Sequence, residues 1–203
     1  SALRILAFEE GSEATAAVVE GELVTGTFAR ALVIDGFIAT AEDMPGVGYM
    51  AWMGRLPMLL HPAPKRALVI CFGTGQTASA LLDEGPERLD VVELNPAVLA
   101  MAPHFASNHG VLDDPRVHAV RMDGRAWLRR TLRRYDVVTH ARIPPHFAGV
   151  NALYSREFYE IVASRLAPGG VVAQWVPFHL LPPFHAASIA ATFQSVFPDA
   201  ILW

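Results

Sequence analysis

The sequence predicts an α/β fold in which a doubly wound, parallel sheet follows a small N-terminal antiparallel β region. Short apolar runs cut by turn residues fill residues 4–40, as in small antiparallel sheets. From residue 65 onward, apolar strands alternate with helical segments, which is typical of parallel strands joined by crossover helices. A glycine turn at 73–75 joins the first of these strands to a helix and marks the expected ligand edge.

The N-terminal region is predicted to pair as hairpins. Asp35-Gly36 lies between two apolar pairs, and Asp-Gly is a strong signal for a two-residue hairpin turn. A loop at 42–48 and a short helix at 49–60 are expected next, before the proline-rich stretch 61–64. The expected strands are 4–8, 14–20, 28–34 and 37–40.

The second region is predicted as alternating strands and helices, with a long loop at 140–151. Pro96 suits the first position of a helix, and Asp123-Gly124 ends the third strand. The expected strands are 67–72, 89–93, 117–121, 136–139 and 171–175; the expected helices are 76–84, 96–105, 125–133, 155–166 and 184–197. We expect two domains, a β region at 1–48 and a Rossmann-like domain at 49–203, and a truncation of the latter at its C-terminal strands is left open.

Composition excludes several classes of protein. The chain has 203 residues, of which 52% are hydrophobic and 18% charged, so a sizeable core is expected and disorder is not. The net charge of −4 does not indicate a surface that binds nucleic acid, and no apolar stretch is long enough to span a membrane. The arginines within 125–134 are interpreted as a solvated helix face. The absence of a basic leader and the single cysteine, Cys71, predict a reducing, cytoplasmic location.

The glycine turn predicts a nucleoside site. Gly73-x-Gly75-x-x-Ala78 satisfies the dinucleotide pattern, and the helix opening at Gln76 points its free N–H groups at whatever lies over the turn. Glu93 follows Gly73 by twenty residues, where an acid can accept hydrogen bonds from ribose hydroxyls. A turn that needs glycine only for packing is the structural alternative. The pattern does not separate a nicotinamide nucleotide from S-adenosylmethionine.

An ordered set of motifs extends this pattern over nearly the whole chain. These motifs are Tyr49, Leu56-Pro57, His61-Pro62, 64–70, 73–75, 92–96, 114–117, 123–125, 135–138, 153–159 and 166–170. Together they resemble the spermidine synthase family of aminopropyltransferases, especially its divergent bacterial branch. The resemblance implies a Rossmann-like, methyltransferase-type fold and S-adenosylmethionine or its decarboxylated form as substrate, without a metal. It also implies a small-molecule acceptor such as a polyamine, and a homo-oligomer, expected as a dimer.

The resemblance assigns roles within the nucleoside site. It implies that Glu93 binds the ribose and that Asp123 binds the amino group of adenine. It also implies that Gly124 lets the ligand approach the backbone closely. Gly73 and Gly75 are placed beside the aminopropyl or amino acid part of the cofactor. Asp123 also suits the N-cap of the following helix, and the two roles are compatible.

The sequence departs from the family where the amine chemistry is expected. Thr74 stands where the family has an aspartate in the glycine turn, and Ala141 and Pro144 stand where it has acids after the fourth strand. A polyamine needs a carboxylate that attracts the cation and removes a proton. Alanine does neither, and the guanidinium of Arg142 opposes a cation.

Two residues remain as candidates for catalysis. His140 can act as a base because its ordinary pKa is near neutrality, although it also fits a plain strand-end residue. Tyr49 matches a family tyrosine that lines the substrate groove, and it equally fits packing between the two regions. No metal site is predicted, because the histidines at 146, 179 and 185 lack tight ligand spacing.

Four functional hypotheses are therefore open. The first is an aminopropyl or related alkyl transferase with an atypical active site. The others are an adenosyl-binding pseudoenzyme, a methyltransferase with an anionic acceptor, and an NAD-dependent oxidoreductase that rests on the glycine pattern alone.

Overall fold

The computed structural model of the chain describes residues 3–12, 14–23, 26–140, 150–178 and 180–203. The predicted fold class is confirmed, since an antiparallel sheet precedes a parallel sheet with connecting helices. The strands are Arg4–Glu10 (β1), Thr15–Glu22 (β2), Phe28–Ile34 (β3), Phe37–Ala41 (β4), Arg66–Ile70 (β5), Arg88–Glu93 (β6), Val117–Arg121 (β7), Tyr135–His140 (β8) and Leu166–Gln174 (β9). The α-helices are Met44–Leu60 (α1), Gln76–Asp83 (α2), Pro96–Ala100 (α3), Gly124–Arg130 (α4), Arg156–Ser164 (α5) and Pro183–Val196 (α6).

The N-terminal sheet has the order β1-β2-β3-β4 within the described residues, and each neighbouring pair is antiparallel. The predicted hairpin turn joins β3 to β4. Asp35 and Gly36 both have positive φ angles, of 47° and 78°, as the favoured two-residue hairpin turn requires.

The parallel sheet has the order β7-β6-β5-β8-β9 within the same residues. Its three central strands, β6, β5 and β8, are largely buried on both faces, whereas the edge strands β7 and β9 are partly exposed. Side chains such as Val69 and Val91 pack on the face that carries α2 and α3. Ile70 and Val92 pack on the opposite face with α4 and α5. All these strands run in the same direction, so their carboxyl ends form one edge.

The antiparallel sheet packs onto one face of the parallel sheet. Ala16, Val18 and Leu32 belong to the same buried cluster as Met58 of α1 and Phe105. This shared core holds the N-terminal strands close to the glycine turn. The division of the chain at residues 48 and 49 stays a prediction.

Several elements differ from the sequence prediction, and helix α4 ends at Arg130 instead of residue 133. Helix α1 begins at Met44, because the first helical turn tolerates proline and glycine where N–H groups lack intrahelical partners. The predicted helix 96–105 ends at Ala100 and continues as short 3-10 turns, since Pro103 cannot extend the α-helical ladder. Residues 167–170, which the prediction left between a helix and a strand, lie inside β9, where Gly169 has a φ of 74° at a register shift. No helix in the described ranges is long and apolar enough to cross a membrane.

The contact between α1 and α2 depends on the small size of Gly54. A methyl group added there would lie 2.6 Å from the Thr77 carbonyl oxygen and 2.9 Å from Ala80 Cβ. We predict that Gly54→Ala lowers the free energy of unfolding by about 1–3 kcal/mol because the helices must move apart. Urea denaturation followed by circular dichroism measures this change.

Gly48 provides the matched control on the same helix. A methyl group added at Gly48 meets nothing within 4 Å. Gly48→Ala is therefore expected to be neutral or to stabilise the protein by up to about 1 kcal/mol, because alanine favours helix more than glycine. Equal effects of the two substitutions would contradict the packing argument.

Candidate active site

The glycine turn lies at the carboxyl edge of the parallel sheet, directly after β5. Gly73 and Gly75 have φ angles of 59° and 87°, which glycine adopts without steric cost. Cys71 in the same turn has a φ of 70°, which is unfavourable for a residue with a Cβ atom. Residues held in such conformations concentrate at functional sites. The sequence pattern did not single out Cys71 for this role.

Glu93 is held at the end of β6 by backbone donors on both carboxylate oxygens. Phe72 N–H donates to Oε2 at 2.8 Å, and Asn95 N–H donates to Oε1 at 2.9 Å. The side chain is almost fully buried, and burial raises the pKa of Glu93 although the backbone donors oppose that shift. A carboxylate has about four acceptor positions, so each oxygen can accept a further hydrogen bond.

Asp123 is the N-cap of α4, as its sequence position allows. Its Oδ1 accepts the Ala126 N–H at 2.9 Å and lies 3.5 Å from Nε of Arg125. Within the described residues, Oδ2 makes no hydrogen bond or ion pair. The side chain is 36% exposed, so this second oxygen is available to a ligand donor.

The Cys71 thiol lies near both acids, Glu93 and Asp123. Burial raises the pKa of Cys71, and the negative charges of Glu93 and Asp123 raise it further. The side chain nevertheless keeps some exposure to solvent. Cys71 therefore lies close enough to both carboxylates for their charges to act on its thiol.

Two of the predicted site glycines face protein atoms. A methyl group added at Gly75 would lie 2.5 Å from Cζ of Phe72, and one added at Gly124 would lie 2.6 Å from Cγ2 of Ile70. The glycine at 124 lets α4 approach β5. Packing therefore explains Gly124, and close access of a ligand to its backbone is not needed to account for it.

Thr74 and Gln76 belong to a buried network that faces the N-terminal sheet. Thr74 Oγ1 donates to Oε1 of Gln76 at 2.7 Å, and Gln76 Nε2 donates to Oγ of Ser107 at 2.7 Å. Thr74 Oγ1 also lies 3.4 Å from Oγ1 of Thr40. Both side chains are nearly inaccessible to solvent. Their polar groups serve this network, which leaves only their backbone for a cofactor.

His140 ends β8, and its geometry argues against the predicted role of a base. The ring is 2% exposed and lies edge-on to Tyr154 and Phe158. Its Nδ1 is 2.7 Å from Nε2 of Gln174, which also donates to a backbone oxygen. The network thus assigns the proton to Nε2, which lies 4.0 Å from Sγ of Cys71.

The pKa of His140 agrees with a neutral ring in this arrangement. Burial lowers the pKa of His140 to about 4. A general base needs a lone pair that a substrate can reach. The acceptor nitrogen of His140 is already occupied by Gln174, so this histidine holds the strand ends together.

Tyr49 lies on the wall of a separate cavity. Its ring stacks on Trp175, with centroids 6.5 Å apart and planes 25° from parallel. The cavity has a volume of about 860 Å³ and is lined mainly by apolar residues of α1, β9 and α6. Tyr49 therefore has a groove beside it, as the sequence suggested, and packs between two elements as well.

Several predicted features lie outside the described residues. These are Ala141, Arg142, Pro144, His146 and His179. Among the residues that the structure does describe, no group of three or more His, Cys, Asp or Glu could hold a metal ion.

Asn95 and Gln174 were missed by sequence reasoning. Asn95 Oδ1 accepts the Ala97 N–H as an N-cap, a role that its position before Pro96 signals. Its Nδ2 is buried and finds no acceptor within the described residues, so an acceptor atom of a ligand would supply the missing hydrogen bond. Gln174 carries no comparable sequence signal, because only the pairing of β8 with β9 brings it to His140.

Comparison with known proteins bears directly on this site. A family model described as "Spermine/spermidine synthase domain" matches residues 47–200. The chain belongs to this family. It is 36% identical over 178 residues to polyamine aminopropyltransferase 2 of Pseudomonas aeruginosa, a match that covers 85% of the chain and 51% of that protein. It is 30% identical over 188 residues to putrescine N-methyltransferase 2 of Nicotiana tabacum, covering 87% of the chain and 50% of the relative.

Solved structures agree with the fold. A spermidine synthase in complex with the transition state analogue AdoDATO superposes with a TM-score of 0.82 at 25% identity, covering 96% of this chain and 66% of that one. Spermidine synthase from Thermotoga maritima superposes with a TM-score of 0.79 at 24% identity, covering 96% of this chain and 65% of that one. The chain spans about half the length of the two curated relatives named above.

The buried His140 generates a prediction on pH and stability. Its folded pKa of about 4 lies below the ordinary 6.5, so between these values the unfolded chain binds a proton that the folded chain does not. The contribution of His140 to the free energy of unfolding is fully present above pH 6.5. It is lost as the pH falls towards 4, by about 3 kcal/mol in total. Urea denaturation across this range measures the slope.

The His140→Gln variant should flatten this pH dependence, because glutamine takes up no proton. The same substitution at His118, an exposed residue of β7, serves as the control and should leave the dependence in place. A His140→Gln variant with the slope of the parent chain would contradict the assignment of a buried neutral histidine.

Proposed function

We propose that this chain binds the adenosyl group of decarboxylated S-adenosylmethionine, or of S-adenosylmethionine, at the carboxyl edge of the parallel sheet. We propose further that it transfers the aminopropyl or a related alkyl group to an amine of a small acceptor such as a polyamine. Membership of the spermine/spermidine synthase family supports this reaction class. Assembly as a dimer and a cytoplasmic location stay predictions.

The observation that carries the proposal is the pair of carboxylates beside Cys71. Glu93 is oriented by the N–H groups of Phe72 and Asn95, with lone pairs left for two ribose hydroxyls. Asp123 keeps Oδ2 without a partner in the described part of the chain, which suits the amino group of adenine. Both acids precede a helix at the edge where parallel sheets bind ligands.

The second candidate is methyl transfer from S-adenosylmethionine. The relatives at 30% identity that are named putrescine N-methyltransferases favour it. The buried Thr74 favours it as well, because no carboxylate at this position of the turn attracts an aminopropyl ammonium group. In this case the acceptor and the cofactor site stay the same and only the transferred group differs. An anionic acceptor and a pseudoenzyme that binds without transfer are the remaining alternatives.

The Asp123→Asn variant tests the adenosyl site. Asparagine retains the cap, because its Oδ1 can still accept the Ala126 N–H. Its amide nitrogen then takes the place of Oδ2 and faces the adenine amino group as a second donor. We expect methylthioadenosine to bind the variant at least about tenfold more weakly in isothermal titration. Asp113→Asn, the same change on an exposed turn residue, should bind as the parent chain does.

The same titration separates the classes of function. NAD should give no heat of binding with the parent chain or with the Asp123→Asn variant. Equal binding of methylthioadenosine to the parent chain and the Asp123→Asn variant would contradict the adenine role, and no heat with any adenosyl ligand would overturn the proposal.

The transferred group is identified by mass spectrometry of the products. Putrescine incubated with the chain and decarboxylated S-adenosylmethionine should gain an aminopropyl group. A methyl group gained from S-adenosylmethionine instead would select the second candidate. Binding without either product would leave the pseudoenzyme alternative.

A further inference from the structure

A basic cavity lies at the edge of the parallel sheet opposite to the candidate active site. Its volume is about 910 Å³, and it is bounded by Arg66 at the amino end of β5 and by residues 130–134 between α4 and β8. Four arginines line it, namely Arg66, Arg130, Arg133 and Arg134. Three of these come from the group that the sequence placed on a solvated helix face.

The charge of this cavity is not balanced by the residues that line it. No Asp or Glu is among the described lining residues. In the described part of the chain, the side chains of Arg66 and Arg130 make no ion pair or hydrogen bond. The neighbouring Asp136 uses its Oδ2 to accept the backbone N–H groups of Lys65 and Arg66. Four guanidinium groups around one cavity repel one another, and an anion between them relieves that repulsion.

Two of the arginines are positioned by contacts with the protein. The Arg133 guanidinium lies 5.9 Å from the ring centroid of Trp127, as a cation–π pair. Arg134 Nη1 donates to the backbone oxygens of Leu166 at 2.9 Å and Ser164 at 3.2 Å. A guanidinium has five N–H donors, so both groups keep donors for a bound anion. Because these contacts already restrain the two side chains, ordering them on binding an anion costs less entropy.

We propose that this cavity binds the phosphate chain of a compact polyphosphate anion, either free or as part of a nucleotide. Guanidinium groups suit phosphate because their paired N–H donors match its oxygens. A chain of two or three phosphates carries a charge similar to that of the arginine group. The cavity volume lies within the range of small-ligand sites, about 300–1,000 Å³. The net charge of −4 on the whole chain disfavours a long nucleic acid.

Isothermal titration with inorganic tripolyphosphate at low salt tests the proposal. Arg66→Gln and Arg130→Gln are suitable variants, because neither side chain holds the described fold together. Each is expected to weaken binding about tenfold or more, since each removes charge-assisted hydrogen bonds. Arg129→Gln is the matched control, because this exposed neighbour on α4 does not line the cavity, and it should change the affinity less than about twofold. Equal melting temperatures of the three variants verify their folding.

A nucleoside triphosphate titrated in parallel distinguishes the two sources of phosphate. Equal affinity means that the phosphate chain is recognised by itself, and tighter binding means that the nucleoside contributes. Both results support the site when Arg66→Gln and Arg130→Gln weaken binding of the triphosphate, and binding that neither variant weakens contradicts it. The proposal is overturned if tripolyphosphate gives no heat, or if Arg129→Gln weakens binding as much as Arg130→Gln. Binding of only a single-stranded oligonucleotide or of anionic lipid vesicles would overturn it too.

Discussion

The candidate active site depends on the way in which Glu93 joins the ends of two strands. Its carboxylate accepts one N–H from the turn after β5 and one from the turn after β6. A buried carboxylate is costly unless both oxygens are hydrogen-bonded, and charge-assisted bonds of this kind are among the stronger ones in proteins. The interaction therefore holds the glycine turn against β6. It also helps to maintain Cys71 at its unfavourable positive φ angle.

Much of this arrangement follows from the sequence, since it depends on local rules. The alternation of apolar strands and helices indicated the parallel sheet, and parallel strands bring Glu93 and Asp123 to the same edge. The N-cap role of Asp123 follows from its position before a helix. The environment of His140 could not be predicted in this way. Its burial depends on Tyr154, Phe158 and residues of β9, which the fold brings to it from later in the chain.

The threonine at position 74 has physical consequences within the glycine turn. Thr74 binds Gln76 and thereby turns inward to the N-terminal sheet. A carboxylate at this position would need a cation or further donors, because the site is nearly inaccessible to water. Thr74 is instead stabilised by neutral hydrogen bonds. The arginines of α4 and the following segment show a related limit of sequence reasoning. Arg66 is far from Arg130 in the chain, yet both line one cavity.

Cys71 allows the most direct measurement of the central claim, which is that an adenosyl ligand occupies the space between Glu93 and Asp123. It is the only cysteine of the chain, so thiol alkylation reports on this position alone. Its raised pKa predicts slow alkylation by iodoacetamide at neutral pH and faster reaction as the pH rises, because the thiolate is the nucleophile. Saturating methylthioadenosine should slow the reaction strongly. An unchanged alkylation rate under conditions where calorimetry shows the ligand bound would contradict the account.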